Sequence, residues 1–131
     1  MKNTEFSWKS EVRAHEIDAQ GIVNNAHYFC YFDHVRTLHI KSLGIDWVQL
    51  SQEGYDFVLV HADIRFFKSL RAFQTFKITS KLSQEGKLKA LFYQRLFNDD
   101  KQLVCEGKNT IVCVDRTRNK PIAINQFISM S

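Results

Sequence analysis

Residues 24–44, NNAHYFCYFDHVRTLHIKSLG, decide the fold. Asn24 or Asn25 can cap a helix, because a short amide side chain accepts from the free N–H groups of a first helical turn. Gly44 is the residue type that most often follows a helix end, so the helix is expected to run to about Leu43. At about 100° per residue, Tyr28, Phe29, Tyr31, Phe32, Val35, Leu38, Ile40 and Leu43 cover more than half the circumference. Cys30, Asp33, His34, Thr37 and Lys41 fill the rest. A surface helix carries a narrower apolar stripe. The width predicts a helix covered on several sides, as when a sheet wraps it.

Working outward, the flanks read as strand. Residues 6–17 partly alternate, with Phe6, Trp8, Val12 and Ala14 on one parity, and residues 18–24 hold Gly21 and read as a turn. Residues 45–56 form a connection with room for a short helical turn. Residues 57–67 are rich in β-branched and aromatic types. Residues 73–82 alternate, a hairpin turn is expected at Gln84-Glu85-Gly86-Lys87, and residues 88–97 follow. A second turn at Asn98-Asp99-Asp100-Lys101 leads into a strand over 102–114, and Arg116 to Ser131 is a tail around Pro121. One helix among runs of strands argues an α+β fold: a single domain over 1–131, with an antiparallel five-stranded sheet on one long central helix. Such a sheet has open edges, so pairing between two copies is expected.

Composition narrows the class. The 131 residues suit one domain, with 44% hydrophobic and 24% charged residues. A net charge of +4 suits an anionic ligand but is too weak for nucleic acid. Cys30, Cys105 and Cys113 are odd in number and lack close spacing, so free thiols in a reducing compartment are expected. The start of the chain has no apolar leader pattern and no apolar run reaches ~18 residues, so a cytoplasmic protein without a membrane span is expected. His27 and His34 lie about two helical turns apart, too far for one ion, and no metal or cofactor is expected.

The residues suited to chemistry cluster before the helix: His15-Glu16-Ile17-Asp18-Ala19-Gln20-Gly21-Ile22-Val23-Asn24-Asn25-Ala26-His27-Tyr28. Free N–H groups at a helix start can hold a carbonyl oxygen that becomes negative during acyl transfer. Asp18 sits where a carboxylate can face the same point, as nucleophile or as base for water. Gly21 would let backbone approach a bulky substrate. Asp18 as a turn residue and the asparagines as plain caps is the competing reading.

The run from Asp18 to Tyr28 resembles the D-x-x-G-x-V-x-x-x-x-Y signature of hotdog-fold acyl-CoA thioesterases, nearest the 4-hydroxybenzoyl-CoA thioesterase family and its Tol-Pal-associated short-chain members. Tyr31-Phe32-Asp33-His34-Val35-Arg36-Thr37 is similar to that family's aromatic-acidic-x-x-Arg-Thr stretch. The resemblance implies a hotdog fold and hydrolysis of an acyl-CoA thioester. Asp18 then matches the catalytic carboxylate, and Asn25 the backbone N–H that polarises the thioester carbonyl. Tyr28 matches the signature Tyr, expected to pack near the site, with core packing alone as the competing reading; Val23 and Phe32 are the other substrate-pocket candidates. It further implies a homodimer or homotetramer with each site at a subunit interface.

One departure concerns residues 67–74. Where the family often has x-x-Pro-x-x-x-Gly-Asp, this chain has Ser69 for the Pro and Phe73-Gln74 for the Gly-Asp. Arg65, Lys68 and Arg71 form a basic group suited to the phosphates of coenzyme A, or to ordinary surface charge. Asp33, three residues before Arg36, reads as an ion pair and as the reserve catalytic carboxylate. His61, Asp63 and Arg65 alternate on one strand face. Rival readings are an acyl-carrier-protein or polyketide thioesterase, a non-catalytic acyl-CoA or acyl-carrier binder, and a fold retained without a site.

Overall fold

A computed structural model describes residues 4–128. Strand β1 (Glu5–Glu11) leads through a single 3-10 turn to helix α1 (Asn25–Ser42). The short helix α2 (Trp47–Gln52) follows, then strands β2 (Tyr55–Phe66), β3 (Thr75–Glu85), β4 (Lys89–Asn98), β5 (Leu103–Asp115) and β6 (Lys120–Ile122). The sheet runs β1-β3-β4-β5-β2 with every neighbour antiparallel, and β6 pairs with β5.

Three boundaries depart from the sequence reading. β1 stops at Glu11 because Glu16 draws the backbone of Arg13 into the 3-10 turn at 14–16. β3 begins at Thr75 because Phe73 takes a positive φ of 66°. The sheet has six strands rather than five: β6 lies in what the sequence reads as tail. Three residues are too few to alternate, and Pro121 stands on an outer strand, where a missing N–H is tolerated.

Helix α1 is covered on one side only. Tyr28, Tyr31, Phe32, Val35, Arg36, His39 and Ile40 are buried against the sheet. Phe29 stays 45% exposed, and Cys30, Asp33 and His34 are also exposed. Full enclosure, expected from the width of the apolar face, is therefore not reached within one chain. The uncovered side faces β2, where Ala62 and Phe66 share the parity of the inward-packed Ile64 yet remain exposed.

The interior holds two apolar clusters. Around the first half of α1 lie Tyr28, Tyr31, Phe32, Val35, Phe76, Ile78, Leu96 and Cys105. Around its second half lie Ile40, Leu82, Phe92, Ile111 and Cys113, with Ile124 and Ile128 folding in from beyond β6. On each element a polar residue separates the two: Arg36 and His39 on α1, Ser80 on β3, Gln94 on β4 and Asn109 on β5, all buried. Burial pushes the thiols of Cys105 and Cys113 up to about 12 and about 11, so both stay protonated; Cys30 is exposed.

Candidate active site

The site residues lie on a hairpin that feeds the helix. Ile17 pairs with Val23. Inside that bridge, Asp18 N–H donates to Ile22 O at 2.8 Å and Gly21 N–H to Asp18 O at 3.0 Å. Gly21 closes the loop at φ +79°, a conformation that costs a side-chain-bearing residue about 1–2 kcal/mol. The Gln20 N–H donates to Asp18 Oδ1 at 2.8 Å. Asp18 is half-buried, and its second carboxylate oxygen has no hydrogen-bond partner among the described residues.

The helix begins one residue after the hairpin closes. Asn24 is the cap: its Oδ1 accepts from Ala26 N–H at 2.9 Å, and its carbonyl accepts from His27 N–H at 2.9 Å. Asn25 is then the first helical residue, exposed, with its N–H bonded to nothing among the described residues. The choice between the two asparagines is thus settled, and it leaves the Asn25 donor free at the positive end of an 18-residue helix. A free carboxylate oxygen and a free amide donor stand at the two ends of one short hairpin-to-helix corner.

A buried carboxylate that sequence reasoning passed over holds this corner. Glu16 is 3% exposed. Its Oε1 accepts from Arg13 N–H and from Tyr31 O–H, both at 2.8 Å, and its Oε2 accepts from the Arg13 guanidinium at 2.8 Å. Glu16 also gives its carbonyl to Asn24 N–H. Burial pushes the Glu16 carboxyl up, but the hydrogen bonds from Arg13 and Tyr31 and the guanidinium charge prevail and hold it below its ordinary 4.5. Burial first, and then the bond to Glu16, raises the Tyr31 phenol. In sequence, Arg13 and Glu16 show only an i, i+3 pair of opposite charge, which does not by itself mark a buried carboxylate.

The other candidates divide. Val23, Tyr28 and Phe32 are 2%, 1% and 0% exposed, all within the first apolar cluster. Tyr28 O–H accepts from Leu70 N–H at 3.0 Å and its ring packs on Phe66. Leu70 O accepts from Val23 N–H, and Arg71 bridges Ile22, so residues 70–71 brace the hairpin. Of the three basic candidates, Arg71 alone is tied to the Asp18 hairpin. Arg65 points away from the helix and stands opposite Glu106, and Lys68 donates its backbone N–H to Val104 O. Asp33 is on the exposed side of α1 and accepts from Arg36 at 3.4 Å. His27 packs edge-on to His15 and His34 to Trp8, so the two helix histidines serve different neighbours. Among the described residues no group of three His, Cys, Asp or Glu side chains could hold a metal ion, and no helix is long and apolar enough to cross a membrane.

The departure at 73–74 keeps the turn at a cost. Phe73 adopts φ 66° where the resembled family has Gly. The loop is held by Phe73 N–H to Val12 O, Val12 N–H to Gln74 O and Arg71 N–H to Gln74 Oε1. Phe73 is 65% exposed, so its ring contributes little packing. Phe73→Gly should therefore stabilise the chain by about 1 kcal/mol, read as a higher urea midpoint with unchanged slope.

Comparison with known proteins places this geometry in context. The Escherichia coli acyl-CoA thioester hydrolase YbgC is 26% identical over 128 residues, covering 98% of this chain and 96% of that relative. A solved Aquifex aeolicus hypothetical protein is 26% identical with a TM-score of 0.84, covering 92% of this chain and 94% of its own. A Staphylococcus aureus hypothetical protein solved in complex with CoA superposes with a TM-score of 0.88 at 16% identity, covering 98% of this chain and 82% of its own; that likeness shows the fold. The fold is the hotdog arrangement of thioesterase structures. With the family description matching residues 12–130, nearly the whole chain, this protein belongs to the thioesterase-like superfamily.

Proposed function

We infer that this chain hydrolyses acyl-CoA thioesters to a free acid and CoA. The observation that carries the reading is the unpartnered Asp18 carboxylate oxygen at the same corner as the unpartnered Asn25 N–H. The thioester carbonyl oxygen accepts from Asn25 N–H, and the helix start stabilises its developing charge. Asp18 attacks the carbonyl carbon, or takes a proton from the water that does. The C–S bond then breaks and CoA leaves as thiolate. If Asp18 has attacked, water cleaves the resulting anhydride and restores the carboxylate. In this reading Arg71, exposed and bridged to Ile22 of the hairpin, meets a CoA phosphate.

The test is incubation of purified protein with acetyl-, hexanoyl-, palmitoyl- and benzoyl-CoA, with free CoA separated and quantified directly. Turnover of at least one ester is expected. Binding without release would favour an acyl-CoA binder, and release from acyl-carrier-protein thioesters alone would move the substrate to the carrier protein.

Assembly is part of the reading. β2 pairs with β5 on one edge and leaves its other edge open, with Val58, Leu59 and Val60 40–50% exposed. A long apolar free edge is a template for a second strand. A homodimer paired through β2 would cover it and bring a second chain over the uncovered side of α1. Light scattering should give at least twice the chain mass, and Leu59→Asp should shift it towards monomer with loss of turnover. A fully active wild-type monomer would contradict this.

A further inference from the structure

Glu16 holds helix α1 at two points. Its carbonyl accepts from Asn24 N–H at 3.2 Å, at the helix cap. Its side-chain Oε1 accepts from the Tyr31 hydroxyl at 2.8 Å. Tyr31 lies beyond Asn25 by about 9 Å along the helix axis. A helix held at its start alone can pivot there; a second point gives it one direction.

The carboxylate is itself fixed from the other side. Arg13 N–H donates to Oε1 at 2.8 Å, and the Arg13 guanidinium donates to Oε2 at 2.8 and 3.2 Å. With both oxygens engaged, the side chain cannot turn away from Tyr31. Among the described residues this is the side-chain hydrogen bond that crosses from the Asp18 arm of the hairpin to α1. His15 and His27 meet across the same gap only ring to ring, with centroids 6.4 Å apart. Leu70 braces the other arm, accepting from Val23 N–H and donating to Tyr28.

Stability alone does not call for a carboxylate here. An apolar residue of similar volume holds a packed corner as well, because removing a charge from water offsets most of what its partners return. What the carboxylate adds is direction. A charge-assisted hydrogen bond is short and about twice as strong as a neutral one, and it sets the Tyr31 hydroxyl at one place. Asp18 follows Glu16 by two residues and Asn25 follows Asn24 by one. The residue that joins the two arms through its main chain therefore also aims the helix through its side chain.

Resting on the thioester-hydrolase reading, we propose that Glu16 and Tyr31 are positioning residues for the reaction: their hydrogen bond holds the Asn25 N–H where a thioester carbonyl facing Asp18 reaches it. Neither side chain touches the reacting atoms. Without the bond the donor drifts from the oxygen on which charge develops, which weakens the transition state more than the bound ester. A misplacement of about 1 Å is enough to lower a rate by about a hundredfold.

The experiment measures kcat and KM on the best-hydrolysed ester for the wild type, Tyr31→Phe, Glu16→Ala and the double variant, each well below its melting temperature. Tyr31→Phe keeps the ring between Tyr28 and Phe76 and leaves the carboxylate on Arg13, so it retains the fold. Its kcat should fall by about tenfold, with KM within about twofold of the wild type. Glu16→Ala should lose at least as much. In the double variant the melting temperature should recover in part, since no hydroxyl is orphaned, while kcat stays at the level of Glu16→Ala. A purely structural role would make activity follow stability. A kcat for Tyr31→Phe within about threefold of the wild type, or a loss carried by KM alone, overturns the positioning role. So does a kcat that rises with melting temperature in the double variant. Tyr31→Phe decides alone if Glu16→Ala does not fold. Each of these results leaves the hydrolase reading standing; absence of hydrolysis of every ester by the wild type overturns both.

Discussion

Asp18→Asn should lower kcat by two to four orders of magnitude, about the contribution of a positioned base or nucleophile, with little change in melting temperature. The reason for both halves lies in the hairpin. Oδ1 of Asp18 accepts from Gln20 N–H, a bond that an asparagine oxygen reproduces. The second oxygen is unpartnered, so replacing it with an NH2 removes the chemistry without breaking a fold contact. KM should change far less than kcat, because substrate affinity would come from CoA and the acyl slot. If turnover is unchanged in this variant, the reacting carboxylate lies elsewhere, and Asp33, exposed on α1, is the next to replace.

The second large effect is on stability. Glu16→Ala should destabilise the chain by about 3 kcal/mol, because it leaves the buried Tyr31 hydroxyl and the Arg13 N–H without an acceptor. For a domain of this size that is a melting temperature lower by roughly 10 °C. Adding Tyr31→Phe to Glu16→Ala should recover part of the loss, since the orphaned hydroxyl goes with it. The pH dependence has a definite sign. The folded Glu16 carboxyl lies below its ordinary 4.5, so its stabilisation is complete above that value and is lost as pH falls through the lower folded value. Urea midpoints of the wild type should fall on acidification below about 4.5 more steeply than those of Glu16→Ala. Parallel curves would mean that Glu16 is not held as a buried, hydrogen-bonded carboxylate.

Much of the architecture was legible because local signals and long-range packing agree. The period-2 pattern in β3 and β4 requires a sheet with one buried face, and the apolar residues of α1 supply what it packs on, although the width of that face predicted cover on more sides than one chain provides. The Asp18–Gly21 turn was readable from residue types that tolerate its backbone. The remainder was hidden for physical reasons. β6 is three residues long and too short to carry a period. Phe73 takes a glycine conformation, which no propensity anticipates. Glu16 looks like any surface glutamate until Arg13 and Tyr31 close on it. The polar layer escapes notice because Ser80, Gln94 and Asn109 are separated by 14 and 15 residues, and only strand register sets them side by side. The exposure of Phe29 and of Val58, Leu59 and Val60 on β2 is what the proposed pairing of two copies would explain.

The most direct measurement is a crystal structure of the Asp18→Asn variant with an unhydrolysed acyl-CoA bound. The thioester carbonyl oxygen should lie about 3 Å from the Asn25 N–H, with its carbonyl carbon facing residue 18 and the acyl group running along α1. A thioester seated away from the hairpin-to-helix corner, beside Asp33 or on the outer sheet face, would contradict the assignment of both Asp18 and Asn25.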